Sequence, residues 1–181
     1  MILMMKRNLF CTAIGFILLI TSINAQEEKI ELNEVCYFEE IGTTPEKYSF
    51  KPYFYHDRLE LKFESDYQIT IKLEDKEDFV AVIDRFEEFH EQSIKENNNG
   101  PQLIDNFSPE IVSHTKKVAD PSKMIKIYYC KELRETGDEN GNLIINIPDL
   151  TDMFGGATAP EKYLYFSREC VSELLEVLKS N

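Results

Sequence analysis

The side chains of this chain that could support chemistry are few and scattered. The chain contains three histidines, His56, His90 and His114. A histidine-rich metal site is therefore not expected, and a Ser-His or Cys-His nucleophile would need contacts that the sequence does not show. The motifs Gly-x-Ser-x-Gly, His-Glu-x-x-His and Cys-x-x-Cys do not occur. We predict no catalytic residue, no metal ligand and no cofactor; enzymatic activity stays undecided, with its absence favoured.

One group of residues could nevertheless form a ligand site. Tyr53 and Tyr55 precede the neighbouring pair His56 and Asp57. Aromatic rings offer area for stacking, so these four residues could line a cleft for a small ligand or a sugar. The alternative, which we favour, is that the aromatic residues pack at the edge of a sheet.

The other histidines have simpler interpretations. His90 lies near the helix face that carries Phe86, which predicts a residue at the boundary of the core rather than a catalyst. His114 lies in a small cluster of positive charge with Lys116 and Lys117, which predicts the solvated end of a helix.

Asp138, Asn140 and Asn142 have the alternating spacing of calcium-loop ligands. The sixth position of such a loop requires Gly, however, and Leu143 stands there. Asp149 stands where a bidentate Glu is usual. We therefore predict an ordinary Asn-Gly hairpin turn at this place.

Residues 1–25 have the pattern of a cleavable secretory signal peptide. Lys6 and Arg7 precede a mostly apolar run over 9–20, and small and polar residues follow at 21–25. The run is shorter than the about 20 apolar residues that cross a bilayer, which favours cleavage over an uncleaved anchor. We predict a mature start at Gln26, a periplasmic or secreted location and no stable membrane insertion after cleavage.

The predicted mature chain is strongly acidic. Residues 1–25 contain two of the 20 Lys and Arg residues and none of the 33 Asp and Glu residues, so residues 26–181 carry a net charge of −15. This charge repels phosphate backbones and anionic lipids, which disfavours nucleic acid as a partner. A basic protein is compatible with it, although solubility alone is the simpler explanation. The oligomeric state is left open.

Three cysteines follow the signal segment: Cys36, Cys130 and Cys170. Export allows a disulfide, and the odd count leaves at least one thiol without a partner in the same chain. The spacings match no zinc-binding pattern. The sequence does not select the pair.

Periodicity predicts the elements that must position these residues. The predicted strands are 30–38, a hairpin at 58–64 and 68–73, a second hairpin at 123–132 and 143–147, and 163–166. Residues 48–55 are predicted to form an edge strand or a loop. The predicted helices are 75–96, capped by Asp75 and ended by Asn97–Pro101, a short helix from Ser108, and a closing helix capped by Ser167.

These elements predict one α+β domain over residues 26–181. The expected architecture is an antiparallel sheet with helices packed on one face, and the element order admits two β-β-α units. The leading functional hypothesis is an exported acidic domain that binds another protein, as an inhibitor, an immunity-type protein or an envelope component. The alternative is a secreted hydrolase or a protein binding a small ligand or sugar at the His56-Asp57 aromatic region.

Overall fold

A computed structural model of the chain describes residues 29–41, 43–64, 67–113, 116–117, 124–151 and 158–180. The predicted signal peptide with its cleavage site lies outside the described residues, as does His114. The described residues combine antiparallel sheets with packed helices, which confirms the α+β class.

Two six-stranded antiparallel sheets carry the fold, where the sequence predicted one. The strands of sheet A are β1 (Ile30–Glu31), β4 (Pro52–Phe54), β5 (Arg58–Lys62), β6 (Tyr67–Lys72), β8 (Glu110–Ser113) and β9 (Lys116–Lys117), adjacent in that order. Those of sheet B are, in spatial order, β3 (Thr44–Phe50), β2 (Val35–Ile41), β14 (Lys162–Ser167), β11 (Asn142–Ile147), β10 (Ile125–Cys130) and β7 (Gln102–Phe107). β12 (Leu150–Thr151) pairs separately with β13 (Thr158–Ala159).

Both predicted hairpins are present. β5 pairs with β6, with Leu59 opposite Ile71 and Leu61 opposite Ile69, and these four side chains are buried. β10 pairs with β11 along its length, and residues 131–141 connect the two strands.

The predicted short helix after Ser108 is wrong, because this segment forms β8. Ile111 lies opposite Ile69 of β6 and is 4% exposed. Pairing thus extends the apolar face of sheet A, and this tertiary contact prevails over the local Ser-Pro-Glu pattern that resembles a helix start.

The helices are α1 (Lys76–Asp84), α2 (Phe86–Glu96) and α3 (Arg168–Lys179), and each of them contacts strands of sheet B. The predicted helix 75–96 is therefore interrupted at Arg85. Asp75 makes no side-chain capping bond, whereas Ser167 accepts a hydrogen bond from the backbone nitrogen of Cys170 at 3.4 Å. The predicted end of the long helix is confirmed, since Asn97 adopts the left-handed conformation with φ of 52°.

The two sheets and the helices share one hydrophobic core. Phe63, just after β5, lies with its ring centroid 5.2 Å from that of Tyr37 and 4.5 Å from that of Phe50, both in sheet B. A disulfide between Cys36 and Cys170 joins β2 to α3. In the described part of the chain, no helix has both the length and the apolar character needed to cross a membrane.

Candidate binding site

The sequence-predicted pair His56 and Asp57 lies in an exposed turn between β4 and β5. The backbone nitrogen of Tyr55 donates to the carbonyl oxygen of Arg58 at 2.8 Å and closes this turn. The Asp57 carboxylate pairs with the Arg58 guanidinium at 2.7 Å. Among the described residues no carboxylate bonds to His56, so the turn does not assemble a His-Asp pair.

Tyr53 and Tyr55 lie on the solvent side of sheet A beneath cationic side chains. The Lys29 ammonium is 3.6 Å from the Tyr53 ring centroid, and the Arg58 guanidinium is 4.3 Å from that of Tyr55. The chain's own cations therefore make cation–π contacts with both rings.

Glu60 neutralises part of this positive charge. Its side chain is 8% exposed, and its carboxylate lies 2.9 Å from Arg58 Nε and 3.2 Å from Lys62 Nζ. Burial acts to raise the pKa of Glu60, but the hydrogen bonds from Arg58 and Lys62 outweigh it and lower that pKa. Three of the four predicted ligand-site residues, Tyr53, Tyr55 and Asp57, thus contact cations of the chain itself.

His90 lies at the boundary of the core and joins three elements. Its Nδ1 atom is 3.0 Å from the Tyr129 hydroxyl of β10, and its Nε2 atom is 2.7 Å from the Arg168 guanidinium of α3. Arg168 also pairs with Glu87 at 2.6 Å. Burial, followed by the Arg168 charge, lowers the pKa of His90 below its usual value.

The calcium-like residues hold the turn between β10 and β11. Asp138 Oδ1 accepts from the backbone nitrogen of Asn140 at 2.7 Å, and Asp138 Oδ2 accepts from that of Arg168 at 3.3 Å. The buried Asn142 amide donates to the carbonyl oxygens of Asp138 and Lys131 at 2.9 and 3.2 Å. These hydrogen bonds of Asp138 and Asn142 fix the conformation of the connection between β10 and β11.

Within the described residues, Cys36, Cys170 and Glu173 bring three potential metal donors close together. The two sulfur atoms are bonded to each other, so neither can act as a thiolate ligand. Glu173 instead accepts a hydrogen bond from the backbone nitrogen of Cys36 at 3.3 Å. This group is a structural link between β2 and α3.

The solvent side of sheet B presents a different surface, which we call the tyrosine face. Directly paired residues project on the same side of a sheet. The registers place one row of side chains across all six strands: Lys47, Phe38, Tyr165, Ile144, Tyr128 and Leu103. Tyr163 lies beside this row, with its ring stacked on that of Tyr165 at 6.4 Å between centroids. The tyrosine face comprises Phe38, Leu103, Tyr128, Ile144, Tyr163 and Tyr165.

This face lies opposite the packed side of sheet B. Tyr129, the neighbour of Tyr128, contacts Phe86 of α2 on the packed side. Leu103 and Tyr163 are 46% and 40% exposed, whereas Ile144 is only 6% exposed although it lies outside the main core cluster. The solvent side of an antiparallel sheet ordinarily carries polar residues, whereas the centre of this face is apolar.

Charged groups form the rim of the tyrosine face. Arg134, in the loop between β10 and β11, pairs with Glu40 of β2 and lies 3.8 Å from Glu135. On the opposite side, Glu161 accepts a hydrogen bond from the Asn146 amide at 2.9 Å.

The pKa values of the tyrosine hydroxyls reflect the charges around this face. Burial, followed by the negative charges of Glu135 and Glu40, raises the pKa of Tyr165 to about 12. Burial and a hydrogen bond to Glu161 raise the pKa of Tyr163. The rim therefore places a negative potential over neutral aromatic rings, a setting that favours cations.

Sequence reasoning missed the tyrosine face, although a signal for it exists. In the predicted strand 163–166, the aromatic residues Tyr163 and Tyr165 alternate with the core residues Leu164 and Phe166, so both of its faces are apolar. A strand with one wet face should alternate with polar residues. The departure from alternation marks the face.

No protein-family model, curated protein or solved structure matches the chain.

Proposed function

We propose that this protein is an exported, non-enzymatic domain that acts by binding another protein through the tyrosine face. The observation that carries the proposal is the apolar row across the solvent side of sheet B, where Phe38 on β2 is followed by Tyr165 on β14, Ile144 on β11 and Tyr128 on β10. Leu103 and Tyr163 at the margin of this half-buried row are 46% and 40% exposed, and exposed apolar area is typical of interaction surfaces. Tyrosine is also among the residues enriched at the centre of protein interfaces.

The charge of the molecule favours a basic partner. The predicted mature chain carries −15, and Glu40, Glu135 and Glu161 surround the tyrosine face. Complementary potentials accelerate association and fix orientation. An inhibitor or immunity-type protein acting on a basic toxin or hydrolase fits this description, and so does an envelope component with a basic neighbour.

Two features support a periplasmic or secreted location. The first is the signal-like pattern of residues 1–25. The second is the Cys36–Cys170 disulfide, because such bonds persist in oxidising compartments.

We further propose that the fold contains two β-β-α units. They are β5-β6-α1 and β11-β14-α3, and their strands belong to different sheets.

The geometry gives less support to a hydrolase or a sugar site at His56 and Asp57. His56 is exposed in a turn, and the Asp57 carboxylate is already paired with Arg58. A catalytic His needs a substrate cleft and an orienting partner within hydrogen-bond reach. The binding hypothesis is therefore preferred.

The experiment is capture of a partner from the exported proteins of the source cells at low ionic strength. We expect the oxidised protein to retain a discrete basic protein, and Tyr128→Ser/Tyr163→Ser to lose most of that retention. Protection of β10 and β14 from hydrogen exchange in the complex would locate the contact.

Tyr53→Ser/Tyr55→Ser is the matched control, since it removes two surface tyrosines from sheet A instead. Equal loss of retention in both double variants, with unchanged thermal stability, would refute the assignment to the tyrosine face. Absence of any retained basic protein would refute the proposed function itself.

A further inference from the structure

We propose that the tyrosine face recognises an arginine side chain of the partner, which stacks on Tyr163 and Tyr165 and takes over the Glu40 carboxylate. This inference rests on the proposed function, because it names the group by which the partner is held. The ligand class is a guanidinium on a basic protein or peptide.

The chain's own Arg134 shows that this place accommodates a guanidinium. Arg134 extends from the loop between β10 and β11 to Glu40 on β2, and its guanidinium also lies 3.8 Å from Glu135. Its charge acts on Tyr165 together with those of both carboxylates. A guanidinium thus already lies between two carboxylates beside the tyrosine face.

Arginine fits this surface better than lysine. A guanidinium is planar and weakly hydrated, so it can stack on an aromatic ring while its edge donates to a carboxylate. The stacked rings of Tyr163 and Tyr165, which are inclined by only 12° to each other, offer an aromatic surface bordered by Glu161 and Glu40. An ammonium group can reach a carboxylate but cannot stack in this way.

Exchange of Arg134 for the partner's arginine requires little free energy. The Arg134 side chain is 65% exposed and that of Glu40 is 33% exposed. Ion pairs with this degree of exposure contribute little to stability, because water screens them and long side chains lose entropy in forming them. The partner's guanidinium can therefore displace Arg134 from the Glu40 carboxylate.

The test compares two labelled peptides of equal charge, (Gly-Arg)4 and (Gly-Lys)4, titrated with the oxidised protein at low salt and followed by fluorescence anisotropy. We expect the arginine peptide to bind at least about fivefold more tightly than the lysine peptide. Tyr163→Leu/Tyr165→Leu should weaken its binding about tenfold, whereas Tyr163→Phe should retain it because the ring remains.

Two charge variants test the exchange. We expect Glu40→Gln to weaken binding of the arginine peptide several-fold and Arg134→Gln to strengthen it, because the competing guanidinium is gone. Glu88→Gln on α2 removes the same charge as Glu40→Gln at a distance from the face and should change the affinity less than about twofold. Unchanged thermal unfolding curves establish that all variants are folded.

Equal binding of the two peptides, or equal effects of Glu40→Gln and Glu88→Gln, would show diffuse attraction to the acidic protein and overturn the arginine site. Weaker binding by Arg134→Gln would overturn the exchange. None of these results changes the outcome of the capture experiment with Tyr128→Ser/Tyr163→Ser. Failure of this inference is therefore distinguishable from failure of the proposed function.

Discussion

His90 must be neutral in the folded protein for its contacts to form. Arginine only donates hydrogen bonds, so the Nε2 atom of His90, which lies 2.7 Å from Arg168, must accept. The Nδ1 atom then carries the proton and donates to the Tyr129 hydroxyl at 3.0 Å. The residue thus links α2, β10 and α3.

Acidification should weaken the protein through this residue. The pKa of His90 in the folded protein lies below its ordinary value of 6.5. At a pH between the folded-state pKa and this ordinary value, the unfolded chain binds a proton that the folded chain does not. The contribution of His90 is therefore complete above about pH 6.5 and is lost as pH falls through its folded-state pKa. Urea unfolding at several pH values between 7 and 5 measures the loss.

His90→Gln should make the free energy of unfolding less dependent on pH in this window. His56→Gln, which changes an exposed histidine in a turn, is the control and should leave the dependence unchanged. An identical pH dependence in the wild type and His90→Gln would contradict the linkage.

Gly141 is the position where this region tolerates no side chain. Its φ is +106°, and a Cβ atom there would lie 3.0 Å from His90 Nδ1 and 3.2 Å from Tyr129 Cε2. Gly141→Ala should lower the free energy of unfolding by about 1–3 kcal/mol through backbone strain and crowding. Gly137→Ala, with φ of +68° but no atom within 4 Å of the added Cβ, separates the two causes, since it should show the backbone strain alone.

At the scale of elements, the sequence was informative where apolar alternation was regular. The hairpin of β5 and β6 and the helix α3 with its Ser167 cap follow from local patterns. The strand β8 did not, because its place is decided by pairing with β6, whose residues lie 40 to 46 positions away in sequence. The tyrosine face was missed for the same reason, since its row joins residues from six strands whose order only the fold defines.

The Cys36–Cys170 disulfide is a covalent link in this architecture and joins residues that are separated by 134 positions in sequence. Cys36→Ala/Cys170→Ala should lower the free energy of unfolding by about 2–5 kcal/mol, because the unfolded chain regains the entropy of a long loop. Urea unfolding of the oxidised proteins measures this difference.

A reducing agent provides the matched control for the disulfide. It should destabilise the wild type by a similar amount and leave the double variant unchanged. Cys130 contributes little to this response, because burial raises the pKa of its thiol and keeps it unreactive. Destabilisation of the double variant by the reducing agent would contradict the assignment.

For the whole molecule, the distribution of charge matters more than its sum. Residues 74–96, which form α1 and α2 with their N-terminal flank, contain nine acidic and three basic residues, a net charge of −6. The strands of sheet A contain five basic and three acidic residues. The acidic charge is therefore concentrated in the helical segment, on the packed side of sheet B opposite the tyrosine face. Over long range the proposed basic partner would be attracted by the net charge, and the carboxylates bordering the tyrosine face would orient it.

This concentration of charge has a cost in stability that salt should relieve. Glu91 lies one helical turn from both Glu87 and Glu88, and in the described part of the chain neither Glu88 nor Glu91 has an ion-pair partner. Raising the ionic strength from about 0.01 M to about 0.15 M shortens the screening distance from about 30 Å to about 8 Å, which weakens this repulsion. The unfolding temperature of the wild type should therefore rise with added sodium chloride.

Glu88→Gln/Glu91→Gln should be more stable than the wild type at low salt by about 0.5–1 kcal/mol, because two like-charge contacts on α2 are removed. Its unfolding temperature should rise less with salt than that of the wild type. The double variant should dissociate from the proposed basic partner at the same rate as the wild type, since α2 packs on the side of sheet B opposite the tyrosine face. A faster dissociation rate would instead place α2 within the interface.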